Sequence, residues 1–343
     1  MKVLISYFAR EDSIPLGHSC ARGLQELGHA AFVFDSQAEH PLELYCVKYI
    51  NKIIKAISNK KYSLSDERRI SNARYRESQL ESAIKRENPD VIIIIRGNGY
   101  SSDFLQYIKN TYKVKLVGWW VKDPRSGMEM LNDAASYDHY YCIHQFGYDV
   151  DSGIEYLPAL AIDRHLYPRA ASREEICLTH DVVLVGGYSS RRELYLEGWG
   201  DLPLEIYGPG WRKQKRMFHP LYKRAWQQRG IWGKDLVNLY HQTKIVINIT
   251  SWDPAKLTGQ NLRLYDVPAT GTFLITDDSP EVRDMFKVGK EIEVFSSSEE
   301  LADKTKYYLA NSQARELIAL NGYFATQRMP SYKDRMASIM GKI

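Results

Sequence analysis

Two side chains of opposite charge, Arg263 and Asp266, stand one helical turn apart in the stretch GQNLRLYDVPATGTFLITDD, residues 259–278. At that spacing they share a helix face. A guanidinium beside a carboxylate, set near the carboxyl end of a parallel strand, suits an anionic, hydroxyl-rich ligand: the arginine takes phosphate and the aspartate takes ribose. Asn261 lies within the same polar head. An ordinary surface ion pair has the same spacing, so the rest of the chain must decide between the two readings. A second cationic group follows an apolar run: Gly186-Gly187, then Ser189-Ser190-Arg191-Arg192. Exposed backbone N–H groups at Gly187 and guanidinium forks at Arg191 and Arg192 are suited to a diphosphate. The turn Gly208-Pro209-Gly210-Trp211 is expected to shape the wall of the same site, with Trp211 either stacking on a ligand or packing in the core.

Acid–base candidates lie in the first half. Asp123 follows the apolar run 116–120 and precedes Pro124, which places a carboxylate at the mouth of a sheet, where it can take a proton from an acceptor hydroxyl; an Asp-Pro turn is the plain alternative. His18, after Gly17 in the first strand–helix connection, is the second candidate, with Glu11 and Asp12 as weaker ones. His144 and Gln145 follow another strand. Asp149-Val150-Asp151 spells two carboxylates in a polar turn, but octahedral magnesium also needs phosphates presented to that turn. No metal site is expected.

These groups need strands and helices to hold them. Apolar runs predict strands at 2–6, 30–34, 90–95, 115–120, 139–143 and 154–157, and continuous stretches such as VIIIII suit strands buried on both faces of a parallel sheet. A helix from about His18 to Leu27 ends at Gly28, an acceptable cap. From Pro41 to Asn88 the pattern is helical, first with Tyr45, Ile50, Ile53, Ile54 and Ile57 on one stripe and then heavily charged. That excursion is read as an acceptor-site wall, a membrane-facing surface, a dimer contact or a solvated hairpin. The alternation restarts after Pro158, with strands at 181–185, 204–207, 245–249, 273–276 and 291–294 and helices at 298–309 and 314–325. Pro268 should leave the helix that carries Arg263 and Asp266 short or kinked.

The 343 residues suit about two domains. With 44% hydrophobic and 26% charged residues, the composition is that of an ordinary globular protein. No apolar run approaches the ~20 residues of a membrane helix, so no integral membrane association is expected. The opening MKVLISYFARED reads as a first strand and not as a signal peptide, from which a cytoplasmic location is expected. Four separated cysteines argue against a disulfide framework. The net charge of +4 favours anionic ligands without demanding nucleic acid. The basic run Trp211–Arg216, with Tyr222, Lys223, Arg224 and Trp226, keeps a nucleic-acid partner in view.

The stretch from Asn261 to Met336 resembles the C-terminal part of GT-B glycosyltransferases, in particular the CgeB-like group among group 1 (family 4-like) enzymes. The residues that carry the likeness are Asn261, Arg263, Tyr265, Ala269, Gly271, Thr276, Asp277, Glu281, Phe286, Gly289, Lys290, Glu291 and Glu299-Glu300-Leu301. Upstream, Gly187 with Arg191-Arg192-Glu193-Leu194 and the LEIYGPGW turn resemble the family too, and weaker matches reach into the first half. The resemblance implies an α/β, GT-B fold: two Rossmann-like domains with an interdomain cleft, divided as 1–160 for acceptor, 161–330 for donor and 331–343 as a helix crossing back. It implies transfer of a sugar from a nucleoside diphosphate sugar, UDP-sugar foremost, with no cofactor and no metal. The acceptor is a hydroxyl of a carbohydrate, protein or modified nucleic acid. Donor contacts fall on Gly187, Arg191, Arg192, Gly208, Gly233, Lys234, Asn261, Arg263 and Asp266; in related folds the segment at Ile231–Asp235 recognises the base through its backbone. A looser likeness to phage DNA glucosyltransferases supports Asp123 as base and leaves DNA modification as an alternative, alongside a non-catalytic nucleotide-sugar or nucleic-acid binder on the same fold. One departure stands out: the family's ribose-binding glutamate is here Asp266, shorter by one methylene.

Overall fold

A computed structural model describes residues 1–9, 14–57, 71–96, 99–121, 127–143, 153–170, 176–213, 220–251 and 261–343. The chain divides into two compact units, Met1–Ala159 with Tyr332–Ile343, and Leu160–Ser331. The first contains β1 (Lys2–Tyr7), α1 (Leu16–Glu26), β2 (Ala30–Asp35), α2 (Lys48–Ile57), α3 (Asn72–Glu87), β3 (Val91–Ile95), α4 (Ser102–Tyr112), β4 (Lys115–Trp120), α5 (Gly127–Ala134), β5 (His139–Cys142) and β6 (Ile154–Tyr156). A five-residue π-helical turn, Glu43–Val47, leads into α2. The strands form one sheet in the order β2-β1-β3-β4-β5-β6, every pair parallel.

The centre of that sheet explains its own sequence. Every residue of β3 is buried, because a parallel strand with helices on both sheet faces has no solvent side and cannot alternate. Each buried isoleucine contributes roughly 2–3 kcal/mol of transfer free energy. The helices start where side chains can cap them: the Ser71 and Ser101 hydroxyls accept from the amides of Arg74 and Phe104. The charged stretch after residue 71 is more than a solvated face, since Glu77 is buried and accepts from both the amide and the hydroxyl of Ser101 at 2.9 and 2.6 Å. It thereby ties α3 to the start of α4.

The second unit contains β7 (His180–Val185), α6 (Ser190–Tyr195), β8 (Glu205–Tyr207), α7 (Pro220–Ala225), α8 (Gly233–His241), β9 (Thr243–Asn248), α9 (Arg263–Ala269), β10 (Phe273–Asp277), α10 (Pro280–Met285), β11 (Glu293–Phe295), α11 (Ser298–Ala310) and α12 (Ser312–Thr326). Its sheet runs β11-β10-β9-β7-β8, again all parallel. In both units the first strand lies between the second and the third. A connection therefore leaves the first strand in each direction, and the crevice at the carboxyl ends of the first and third strands is the place where such folds bind ligands. In the second unit that crevice lies between the ends of β7 and β9.

The last helix, α13 (Tyr332–Met340), belongs to the first unit and packs on α1. Contact is close enough to require a glycine: a Cβ on Gly23 would stand 2.6 Å from the Tyr332 carbonyl. Gly23→Ala should therefore lower stability by roughly 1–3 kcal/mol, the usual cost of overpacking, read as a lower denaturant midpoint. An unchanged midpoint would show that α13 does not rest on α1.

Candidate active site

The crevice between β7 and β9 is built from chain turns that lock onto one another. Beyond β7, the Gly186 amide donates to Tyr207 O at 2.8 Å, while beyond β8 the Gly208 amide donates to Arg229 O at 2.9 Å. Gly208 sits at φ 152 directly over the Gly186 carbonyl, where any Cβ would collide with backbone. That explains the glycine in the GPG turn. The two turns are fastened by indole donors: Trp211 Nε1 to Gly186 O and Trp226 Nε1 to Gly208 O, both 2.9 Å. Trp211 is fully buried. Of its two readings, core packing is the one observed, because its ring packs against Tyr188 and Tyr222. Tyr222 is buried as well, so two aromatics of the basic run are structural and unavailable to stack on bases; residues 214–219 lie outside the described residues.

Two consecutive arginines cap the crevice. Arg191 reaches from α6 to the far strand ends, donating from Nη1 to Asp277 Oδ2 at 2.5 Å and to Thr250 O and Oγ1 at 3.1 Å, with its guanidinium over the Tyr195 ring. Arg192 bridges the switch point itself: Nε donates to Ile249 O at 2.7 Å beyond β9, and Nη1 donates to Gly187 O beyond β7. Asp277 is buried at the end of β10, where it also accepts from the amide and hydroxyl of Thr250. Arg191 thus ties α6 to β9 and β10, and Arg192 ties β7 to β9.

The third cation comes from α9. Arg263 Nη1 donates to Asp266 Oδ2 at 2.8 Å, and the two side chains are 11% and 0% exposed. The sequence allowed a surface pair at this spacing; the structure buries it. Tyr240 from α8 is fully buried and its hydroxyl lies 3.5 Å from the same carboxylate oxygen. Asn261 starts the helix locally, its side-chain oxygen accepting the Arg263 amide at 3.0 Å. As expected from Pro268, α9 is short, seven residues with the proline inside it, since the ring has no N–H to donate to the preceding turn. Among the described residues, two buried polar atoms of the pair have no hydrogen-bond partner, Arg263 Nε and Asp266 Oδ1.

Electrostatics follow from this crowding. Burial raises the Asp266 carboxyl more than the Arg263 charge and hydrogen bond lower it, and its pKa is pushed up to about 6. Arg192 is pushed down to about 10 by burial and then by the neighbouring charge of Arg263, with Asp277 opposing and Arg191 adding to the fall. It stays protonated at neutral pH. Three guanidinium groups meet here: Arg191 and Arg263 are each paired with a buried carboxylate, Asp277 and Asp266, while Arg192 donates to carbonyl oxygens and, among the described residues, forms no ion pair, so its positive charge is left over at the strand-end crevice. Such a surplus is relieved by an anion.

The remaining expectations fall at different places. Gly233 and Lys234 begin helix α8. Lys234 is exposed. His18 lies in the first turn of α1, not in the preceding loop, because that helix begins at Leu16; its ring is exposed and its Nε2 is 3.3 Å from Ala9 O. Asp123, Glu11, Asp12, His144, Gln145 and Asp149–Asp151 lie outside the described residues. Among the described residues no group of three or more His, Cys, Asp or Glu side chains is placed to hold a metal ion. Sequence reasoning missed Tyr240, Thr250 and the anchoring role of Asp277. Thr276-Asp277 carried part of the family likeness, but nothing in its spacing linked Asp277 to Arg191, 86 residues away.

Residues 191–341 match a family model described as glycosyl transferase-like. No curated protein matches the sequence. Among solved structures, the chain superposes on Anabaena HepE in complex with UDP-glucose with a TM-score of 0.63, at 11% identity and full coverage of both chains. A glycosyltransferase from Rickettsia africae gives 0.63 at 13% identity, covering 99% of this chain and 97% of that one. Sucrose-phosphate synthase from Thermosynechococcus elongatus gives 0.66 at 10% identity, with the same coverage. The fold is therefore GT-B. Within that fold, the second unit and the last helix carry the match to the glycosyl transferase-like family model.

The raised Asp266 pKa has a definite sign in stability. A carboxyl held near 6 when folded and ordinary when unfolded, roughly 3.9, binds the extra proton in the native state. Its contribution is fully present below the unfolded value and is lost as pH rises through about 6. Asp266→Asn should lower stability at neutral pH by less than the roughly 3–5 kcal/mol usual for a broken buried pair, because burial already works against the Asp266 charge. The difference in unfolding free energy between wild type and variant should shrink between pH 4 and 7. Urea titrations across that range check it; a constant difference would mean the carboxyl titrates as an ordinary one.

Proposed function

We propose that the protein transfers a sugar from a nucleoside diphosphate sugar, with UDP as the nucleotide, to an acceptor hydroxyl without a metal ion. The observation that carries this reading is the surplus of guanidinium charge at the β7–β9 switch point, contributed by Arg191, Arg192 and Arg263. In the transfer, the acceptor oxygen bonds to the anomeric carbon while the bond from that carbon to the diphosphate oxygen breaks. Negative charge then gathers on the departing diphosphate. Fixed cations aimed at charge that develops in the transition state lower the barrier without reorganising, which is the work a metal would otherwise do.

The donor-binding assignment comprises Gly187, Arg191, Arg192, Gly208, Gly233, Lys234, Asn261, Arg263 and Asp266. The glycines at 187 and 208 act by close backbone approach and Lys234 by charge. Arg263 is the phosphate contact of α9, with Asp266 holding it in place and assigned to the ribose of the donor. Asp123 is assigned the acceptor proton and His18 a contact near the transferred sugar, both from the first domain. UDP is preferred because HepE, a structural relative, is described in complex with UDP-glucose. The C-terminal sequence pattern further suggests the CgeB-like branch of the class.

Turnover assayed with UDP-, GDP- and dTDP-sugars should favour the uridine donor and survive EDTA. Arg263→Lys keeps the charge but not the fork, and should weaken donor binding roughly 10- to 100-fold, the value of a charge-assisted hydrogen bond. Asp123→Asn should lower kcat by roughly 10²–10⁴ with donor affinity intact. If no nucleotide sugar is turned over or raises the melting temperature, the transferase reading is wrong for this chain. An EDTA-sensitive rate would remove metal independence alone.

A further inference from the structure

Helix α2 and the π-helical turn before it carry an apolar face that points outward. Leu42 is 44% exposed, Tyr45 74%, Tyr49 66%, Ile50 44% and Ile53 52%. Tyr45, Tyr49 and Ile53 recur every four residues and so line one side of the helix. Val47 is the one buried residue among the described side chains from Pro41 to Ile53. Lys48 and Lys52 are exposed beside the stripe; the carboxylate paired with Lys48 is Glu39, at a loose 3.9 Å. Large apolar side chains gathered on one exposed face mark an interaction surface more often than scattered ones do.

The charge pattern identifies the occupant. From Glu43 to Ile57, the turn and α2, the sequence holds three lysines, Lys48, Lys52 and Lys55, against one acidic residue, Glu43. A second copy of the chain docking on this face would bring lysines against lysines, which is unfavourable. An anionic lipid surface is complementary instead. Tyrosine rings settle at headgroup depth, lysine stems lie along apolar surface with the ammonium at the phosphate, and a ten-residue helix about 15 Å long lies in the interface and does not cross it. We propose that the α2 face binds the surface of an anionic bilayer, with Tyr45, Tyr49 and Ile53 entering the headgroup boundary and Lys48 and Lys52 meeting lipid phosphates. The proposal is independent of the transfer chemistry.

Flotation of the full chain with vesicles is the test. The protein should float with an equal mixture of phosphatidylglycerol and phosphatidylcholine, stay behind with phosphatidylcholine alone, and be released by high salt. Lys48→Gln and Lys52→Gln should each weaken binding about fivefold, the effect of removing one charge near a charged leaflet. The double variant Tyr49→Ser, Ile53→Ser should lose binding while its circular dichroism and melting temperature match wild type, since both side chains are exposed. Absence of flotation with anionic vesicles at low salt overturns the proposal. So does undiminished flotation of the Tyr49→Ser, Ile53→Ser protein, or a dimer in light scattering that this variant dissolves while wild type ignores lipid.

Discussion

The buried ion pair between Arg263 and Asp266 is the constraint on which the candidate site depends. Removing two charges from water costs several kcal/mol per ion even after relaxation, and mutual attraction offsets this only when the geometry is good. Here the geometry is supplied by a one-turn spacing and a direct 2.8 Å contact. A glutamate at 266 would reach about 1.5 Å further, one C–C bond more; the aspartate keeps the contact close to the helix. Pro268 has no N–H to give the turn before it and α9 ends a residue later, so the pair spans four of the helix's seven residues. With Tyr240 buried against them, the two side chains have one arrangement available.

The position of Arg263 then sets the electrostatics of its neighbours. Arg192 feels it as the first charge after burial, and it is fastened to carbonyl oxygens beyond β7 and β9. Carbonyls satisfy its donors without cancelling its charge. Arg191 is the opposite case, fully paired with buried Asp277 and cross-linking the ends of β9 and β10 through Thr250. The same residues therefore act as strand-end fasteners and as the source of positive potential, so a purely structural and a purely functional account of these arginines are each incomplete. A loop that carried the arginines without these ties would have to pay ordering entropy when a phosphate arrived.

Fold alone leaves chemistry open, because one architecture hosts many activities. What narrows it here is the coincidence of three things at one crevice: a topological switch point, glycine turns held in contact by indole hydrogen bonds, and an unbalanced cation cluster. The outward stripe on α2 is a separate matter. It lies on the other unit, rests on apolar exposure and lysine content, and uses none of the crevice residues.

Much of the architecture was legible from residue order. Period-two and continuous apolar runs identify strands because burial on a sheet face is a local property of the side chains, and β3 could hardly have been read otherwise. The short α9 followed from Pro268, whose missing N–H is a covalent fact. Arg191, Arg192, Arg263 and Asp266 could be singled out by type and spacing. Their partners could not: Asp277 meets Arg191 across 86 positions, Tyr240 reaches Asp266 from another helix, and Trp211 turns inward to serve Gly186. Whether the Arg263–Asp266 pair was a solvated ornament or a buried constraint, and whether the α2 stripe faced in or out, depended on what packs around each helix. Sequence determines the covalent and near-neighbour terms, whereas desolvation and long-range pairing exist only once the chain has folded.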